Sequence, residues 1–137
     1  MPDASTRARV TESLAQQADG RTDRPGVYAL LIETPSGGLE THARRWLAAG
    51  YETTPPYLPA IVDAERVVYV GAAKSVRDRL DDHLAGDVRT ATLPTVYDIA
   101  DLDGVWWYDD AEAAFGAEQS IRDSIAREHP GWYVHAR

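Results

Sequence analysis

The feature that most constrains this chain is a pair of short, continuously apolar runs, Val27-Tyr28-Ala29-Leu30-Leu31-Ile32 and Val67-Val68-Tyr69-Val70. A strand with one wet face alternates apolar and polar side chains. These runs have no polar face, which fits strands covered on both sides. The β-branched residues of the second run favour the same reading. Punctuation bounds them: Pro25-Gly26 opens the first, Pro35-Ser36-Gly37-Gly38 ends it, and Gly71 follows the second.

Helical patterns fill the space between. Leu39 to Ala49 carries Ala43, Trp46 and Leu47 on one side before Gly50. After it, Pro55, Pro56 and Pro59 are expected to exclude regular structure until Ile61. Ser75 can cap a helix with Val76, Leu80 and Leu84 on one stripe, and Gly86 stops it. A third strand is expected at Gly104-Val105-Trp106-Trp107-Tyr108. Asp109 or Asp110 then caps a long helix reaching Glu128, with Pro130 beyond its end. The order predicts an α/β (α+β) domain: a small central antiparallel three-stranded sheet flanked by helices, with a helical insert at 35–65. Residues 1–24, where only Val10, Leu14 and Ala15 form a short apolar stripe, read as an N-terminal arm or helix, and 25–137 as the domain.

Composition narrows the chemistry. With no cysteine among 137 residues, a disulfide scaffold, a Cys-ligated zinc or iron–sulfur site and a cysteine nucleophile are all excluded. The histidines His42, His83, His129 and His135 lack zinc-type spacing, and Ser36-Gly37-Gly38 lacks the pattern and lysine of a phosphate-cradling loop. No apolar run approaches the length of a membrane span, about 18 residues, and Met1 to Gly20 has no apolar signal core, so a soluble, cytoplasmic protein without membrane contact is expected. The formal net charge of -8 argues against a nucleic-acid partner. However, the basic residues are 13 arginines and the single Lys74, and this acidic, lysine-poor balance resembles proteins of salt-loving archaea. In molar salt the Debye length is about 3 Å, so only contact-range charges decide binding.

Several residues break the packing pattern. Glu118 shares the inward stripe of Ala114, Ile121 and Ile125, where a carboxylate must be paired, metal-bound or at a cleft edge. Arg79 and His83, four apart, flank the buried stripe of the middle helix. Tyr28 and Tyr69 put phenols into aliphatic strands, where each hydroxyl needs a partner. Each has a plainer reading: a glutamate reaching water, a solvated helix rim, core tyrosines with one hydrogen bond.

Taken together, Gly26-Val27-Tyr28, Tyr69-Val70-Gly71, an arginine eight residues past that glycine, a histidine four later and an inward glutamate on a late helix form an ordered set. In this the sequence resembles the GIY-YIG nuclease domain, over roughly Pro25 to Val134 apart from the insert. The resemblance implies a metal-dependent endonuclease that hydrolyses phosphodiesters, acting on nucleic acid, DNA first, with one divalent cation, Mg2+ or Mn2+. It implies that Tyr28 helps activate the attacking water, Tyr69 orders phosphate and water, Arg79 neutralises the scissile phosphate, His83 supports the site, and Glu118 holds the metal. Lys74, Arg77, Arg44 and Arg45 are candidate phosphate contacts.

The sequence departs from that pattern in three places: the long stretch Ala29 to Val68 between the motifs, Ala72 where many members have lysine, and Pro130-Gly131-Trp132-Tyr133-Val134-His135, which lacks the family's asparagine. Tyr133 stands near its place, with His135 two residues on. The alternative is a GIY-YIG-fold nucleic-acid-binding or protein-interaction module with impaired catalysis. Of the pair Trp106-Trp107, strand alternation sends one indole to each face, and an exposed indole could stack a base.

Overall fold

The computed structural model describes residues 3–86 and 91–136. Its elements are α1 (Ala4–Gln16), β1 (Gly26–Glu33), α2 (Leu39–Ala48), α3 (Leu58–Asp63), β2 (Arg66–Ala73), α4 (Val76–Ala85), α5 (Thr92–Val96), β3 (Asp98–Trp107), α6 (Ala111–Glu128) and β4 (Trp132–Ala136). Among the described residues, no helix is long and apolar enough to cross a membrane.

The sheet has four strands in the order β3-β1-β2-β4, which corrects the expected three-stranded antiparallel sheet. β1 pairs antiparallel with β2 and β3, while β4 pairs parallel with β2. Both apolar runs are the central strands, which is why neither has a polar face. One face carries Tyr28, Leu30, Ile32, Val67 and Tyr69 under α1, α2, α3 and α4. The opposite face carries Val27, Ala29, Val68 and Val70 under Ala114 and Ile125 of α6. A sheet covered on both sides thus needs no alternation.

Capping follows the sequence closely. The Ser75 side chain accepts from the Asp78 N–H, Gly86 ends α4 in the left-handed conformation at φ 77°, and Asp110 caps α6 through the Ala113 N–H. Other expectations change. The 1–24 segment forms α1, which buries Val10 and Leu14 in the core against β3 rather than standing apart. Pro59 lies in the first turn of α3, where a proline lacks no needed N–H, so the proline-rich stretch does contain a helix. The third strand begins at Asp98, earlier than expected, and its pairing with β1 shifts register twice. Such bulges are common on edge strands. In α2, Trp46 is buried as expected, but Leu47 is 53% exposed and His42 occupies the inner face instead.

The insert is held by a buried polar cluster. The Tyr97 hydroxyl accepts the Trp46 indole N–H at 3.0 Å and pairs with His42 Nδ1 at 2.9 Å. Each of these groups would be stranded without the others.

Candidate active site

Four of the side chains chosen from the sequence act on the phenol of a fifth, Tyr28. Tyr28 leans over Gly71, its partner on β2, and its hydroxyl lies 2.8 Å from His83 Nε2 on α4. The Arg79 guanidinium, Tyr69 and Glu118 lie within electrostatic range of the same phenol. The Tyr69 and His83 rings meet edge to face at 5.9 Å. Tyr28, Tyr69 and His83 are all at most 4% exposed.

The site does not lie on one face of the sheet. α4 covers the tyrosine face and α6 the opposite one, and they meet at the end of β2. β4 pairs with β2 only as far as Val70↔Ala136, so among the described residues Gly71, Ala72 and Ala73 have no strand on that side. Their small side chains and the missing neighbour leave an opening. There α4 and α6 form a groove of about 370 Å³ lined by Ala72, Ala73, Lys74, Arg79, Ala111 and Phe115. Glu118, buried one turn beyond Phe115, comes within electrostatic range of Tyr28 from that side.

Burial, with Tyr69 adding to it, raises the Tyr28 phenol well above its usual value of 10, while Arg79 acts in the other direction. Burial, reinforced by Arg79, lowers His83 to about 4 from 6.5, so its imidazole is neutral at pH 7. His83 Nδ1 is buried with no hydrogen-bond partner among the described residues. Tyr28 and His83 thus share one buried hydrogen bond, its direction set by the His83 tautomer.

A second cluster borders Tyr69. His135 of β4 pairs with Tyr69 and stacks against it at 6.3 Å, its Nδ1 lies 3.0 Å from the Tyr133 hydroxyl, and Tyr133 stacks on Tyr57 at 5.6 Å. Burial, followed by Tyr57, pushes Tyr133 up to about 12, and burial with Arg122 lowers His135. Tyr57 was not picked out from the sequence, because only the tertiary fold brings the insert to β4. Phe115 was missed too, although its position between Ala111 and Glu118 on one helical face could have shown it.

Of the candidate phosphate contacts, only Lys74 lines the groove. Arg77 bridges Asp78 and Asp23, Arg44 pairs with Glu40 on the surface, and Arg45 donates to the Val96 carbonyl and to Asp98. Arg45 therefore turns toward β3. Trp107 donates to the Gln17 carbonyl beneath Arg24, and Trp106 is 37% exposed. Among the described residues no group of three or more His, Asp or Glu side chains is arranged to cage a metal. No family model matches the chain, and no match was found among curated proteins or solved structures.

Proposed function

We propose that the protein is a metal-dependent endonuclease of the GIY-YIG type, hydrolysing phosphodiester bonds in DNA. The observation that carries this is His83 Nε2 of α4 at 2.8 Å from the Tyr28 phenol with Arg79 of the same helix beside it, while Glu118, on the helix that covers the opposite face of the sheet, acts on the phenol only by charge and counts against the reading. Core tyrosines need one hydrogen bond; this one has it from His83 and has a guanidinium and a carboxylate in electrostatic range besides.

The residues divide the work by their chemistry. Arg79, at the groove, stabilises charge developing on the phosphate and offsets part of the burial that holds Tyr28 protonated. Tyr28 orients the attacking water and takes its proton only after losing its own. Tyr69, held against His83 and His135, orders the phosphate and water. A single hard-oxygen ligand suits Mg2+ or Mn2+, which are held by one or two carboxylates with waters and substrate phosphate rather than by a protein cage. Glu118 is the residue that would hold the cation, and the cation supplies charge neutralisation and acidifies bound water.

The test is nicking of supercoiled plasmid with Mg2+ or Mn2+ in concentrated potassium chloride, with Glu118→Gln as the control. Metal-dependent nicking by wild type alone supports the reading; equal nicking by both points to a contaminant. One observation favours the alternative of a binding module: Tyr28 is 1% exposed and does not line the groove. Tight DNA binding without nicking in either metal would select that alternative.

A further inference from the structure

We propose that the outer end of β3, around Trp106, is a docking surface for a basic protein segment, which lays an arginine guanidinium on the indole beside a set of carboxylates. Nothing in that surface depends on the nuclease reading.

β3 is an edge strand, and its two faces are covered differently. On one, Val105 and Trp107 join the core with Val10 and Leu14 of α1. On the other, Trp106 and Gly104 lie opposite Val27 and Ala29 of β1, on the face that α6 covers. That helix packs chiefly on β1, β2 and β4, so the cover stops short of the edge. The Trp106 indole lies over Gly104, where an added Cβ would fall 3.2 Å from the ring, and it stays 37% exposed.

The other three tryptophans are engaged. Trp46 donates to Tyr97, Trp107 lies beneath Arg24 at 4.4 Å, and Trp132 stacks on His129 at 3.6 Å with Arg66 at 5.5 Å. Among the described residues, the Trp106 indole has no stacked ring, cation or hydrogen-bond partner.

The same end of the sheet is acidic. Asp103 is exposed at a register shift of β3, Asp109 and Asp110 follow the strand, and Glu112 lies in the first turn of α6. From Ala91 to Ile121 the sequence has seven carboxylates and no Lys, Arg or His. Asp110 caps α6, while Asp103, Asp109 and Glu112 make no ion pair among the described residues. Solubility in salt explains carboxylates anywhere on a surface; it does not explain a bare indole beside them. A nucleobase stacked there would bring its phosphate against these groups, and they repel at contact range even where salt screens longer distances. A guanidinium satisfies both features, because it is flat and weakly hydrated, stacks on indole and pairs with carboxylates through parallel hydrogen bonds. The fold makes the same contact internally, with Arg24 over Trp107.

The experiment measures affinity by fluorescence polarisation, from low salt to molar potassium chloride. Two labelled probes of equal length are compared: short peptides of alternating glycine and arginine, and of alternating glycine and lysine. Wild type is expected to prefer the arginine peptide, with the preference surviving in molar salt. Trp106→Ala should weaken arginine-peptide binding by about 2- to 30-fold, the range of one cation–π contact, and erase the preference. Trp106→Phe should keep part of it, and Asp103→Asn combined with Asp109→Asn should weaken binding of both peptides, with circular dichroism showing each variant folded. Equal affinity of wild type for the two peptides, a preference surviving in Trp106→Ala, or unchanged binding by the double asparagine variant overturns the surface. Sedimentation and a labelled single-stranded DNA supply the remaining arms. A dimer lost in Trp106→Ala would assign the face to a second copy of the chain, and DNA affinity lost in that variant would assign it to a base; either result overturns the basic partner.

Discussion

Gly71 and Tyr28 face each other across β1 and β2, and the phenol occupies the place where any other residue at 71 would put its Cβ. A Cβ built there falls 2.5 Å from Tyr28 Cζ and 3.0 Å from Cε2. The requirement is for space, since the backbone there is ordinary extended strand. Gly71→Ala should therefore push the phenol off His83 and Arg79. Overpacking of this kind costs about 1–3 kcal/mol, readable in urea melts, and cleavage should fall more steeply than stability. A variant with normal activity would show that the phenol's position is immaterial.

Glu118→Gln and Arg79→Ala should fail in different ways. The amide keeps the shape of the carboxylate and loses the charge that holds a cation, so cleavage should vanish while DNA affinity in chelator is kept or rises. Arg79→Ala should lower both, with the slope of log affinity against log salt reduced by about one phosphate contact. Identical losses in the two variants, measured by cleavage and by polarisation, would contradict separate roles.

Much of this site was legible because its residues violate local rules. Tyr28 and Tyr69 interrupt aliphatic strands, and Glu118 interrupts an apolar stripe; each pointed to a polar centre before any contact was known. β4 left no such trace. Trp132 to Ala136 is short, and its strand character comes from parallel pairing with β2, a partner more than sixty residues away. α3 was hidden by reading Pro59 as a breaker when its place in the first turn makes it harmless. The orientation of α2 was half readable: Trp46 buries as its size demands, but His42 displaces Leu47 from the inner face because Tyr97 offers it a hydrogen bond.

His83 should make the fold acid-sensitive. Its value in the fold, about 4, lies below the 6.5 of an unperturbed imidazole. Between these values the unfolded chain takes up a proton that the folded one refuses. Stability from this group is thus complete above about pH 6.5 and is lost as pH falls toward 4, on the order of 3 kcal/mol in all. His42 and His135 are also lowered and act with the same sign. Urea midpoints at pH 7 and 4.5 should therefore differ less in His83→Gln than in wild type, without becoming equal; an unchanged difference would place the acid sensitivity elsewhere.

Tyr97→Phe isolates the insert's attachment from the chemistry. It removes the hydroxyl shared by Trp46 and His42 and strands two buried polar groups, at about 1–3 kcal/mol each. The thermal midpoint should drop clearly. Cleavage, assayed well below that midpoint, should be close to normal, because the hydrogen bond of Tyr28 goes to His83 and not to this cluster. An unaltered midpoint would mean that the cluster contributes little to holding α2.

The sheet itself has no need of the segment that joins its two central strands. Ile32 lies opposite Val67 in an antiparallel pair, a geometry that a two-residue turn can close, and the entropy of closing a longer connection grows only slowly with its length. Material at this point can lengthen, shorten or be exchanged without altering the register that sets Tyr28 beside Gly71. The price is paid only in the roof, through Trp46, Leu58 and Ile61. The Tyr28–Gly71 register and the covering segment are thus separable, so exchanging the cover changes what lies over the sheet and leaves the pairing beneath it in place.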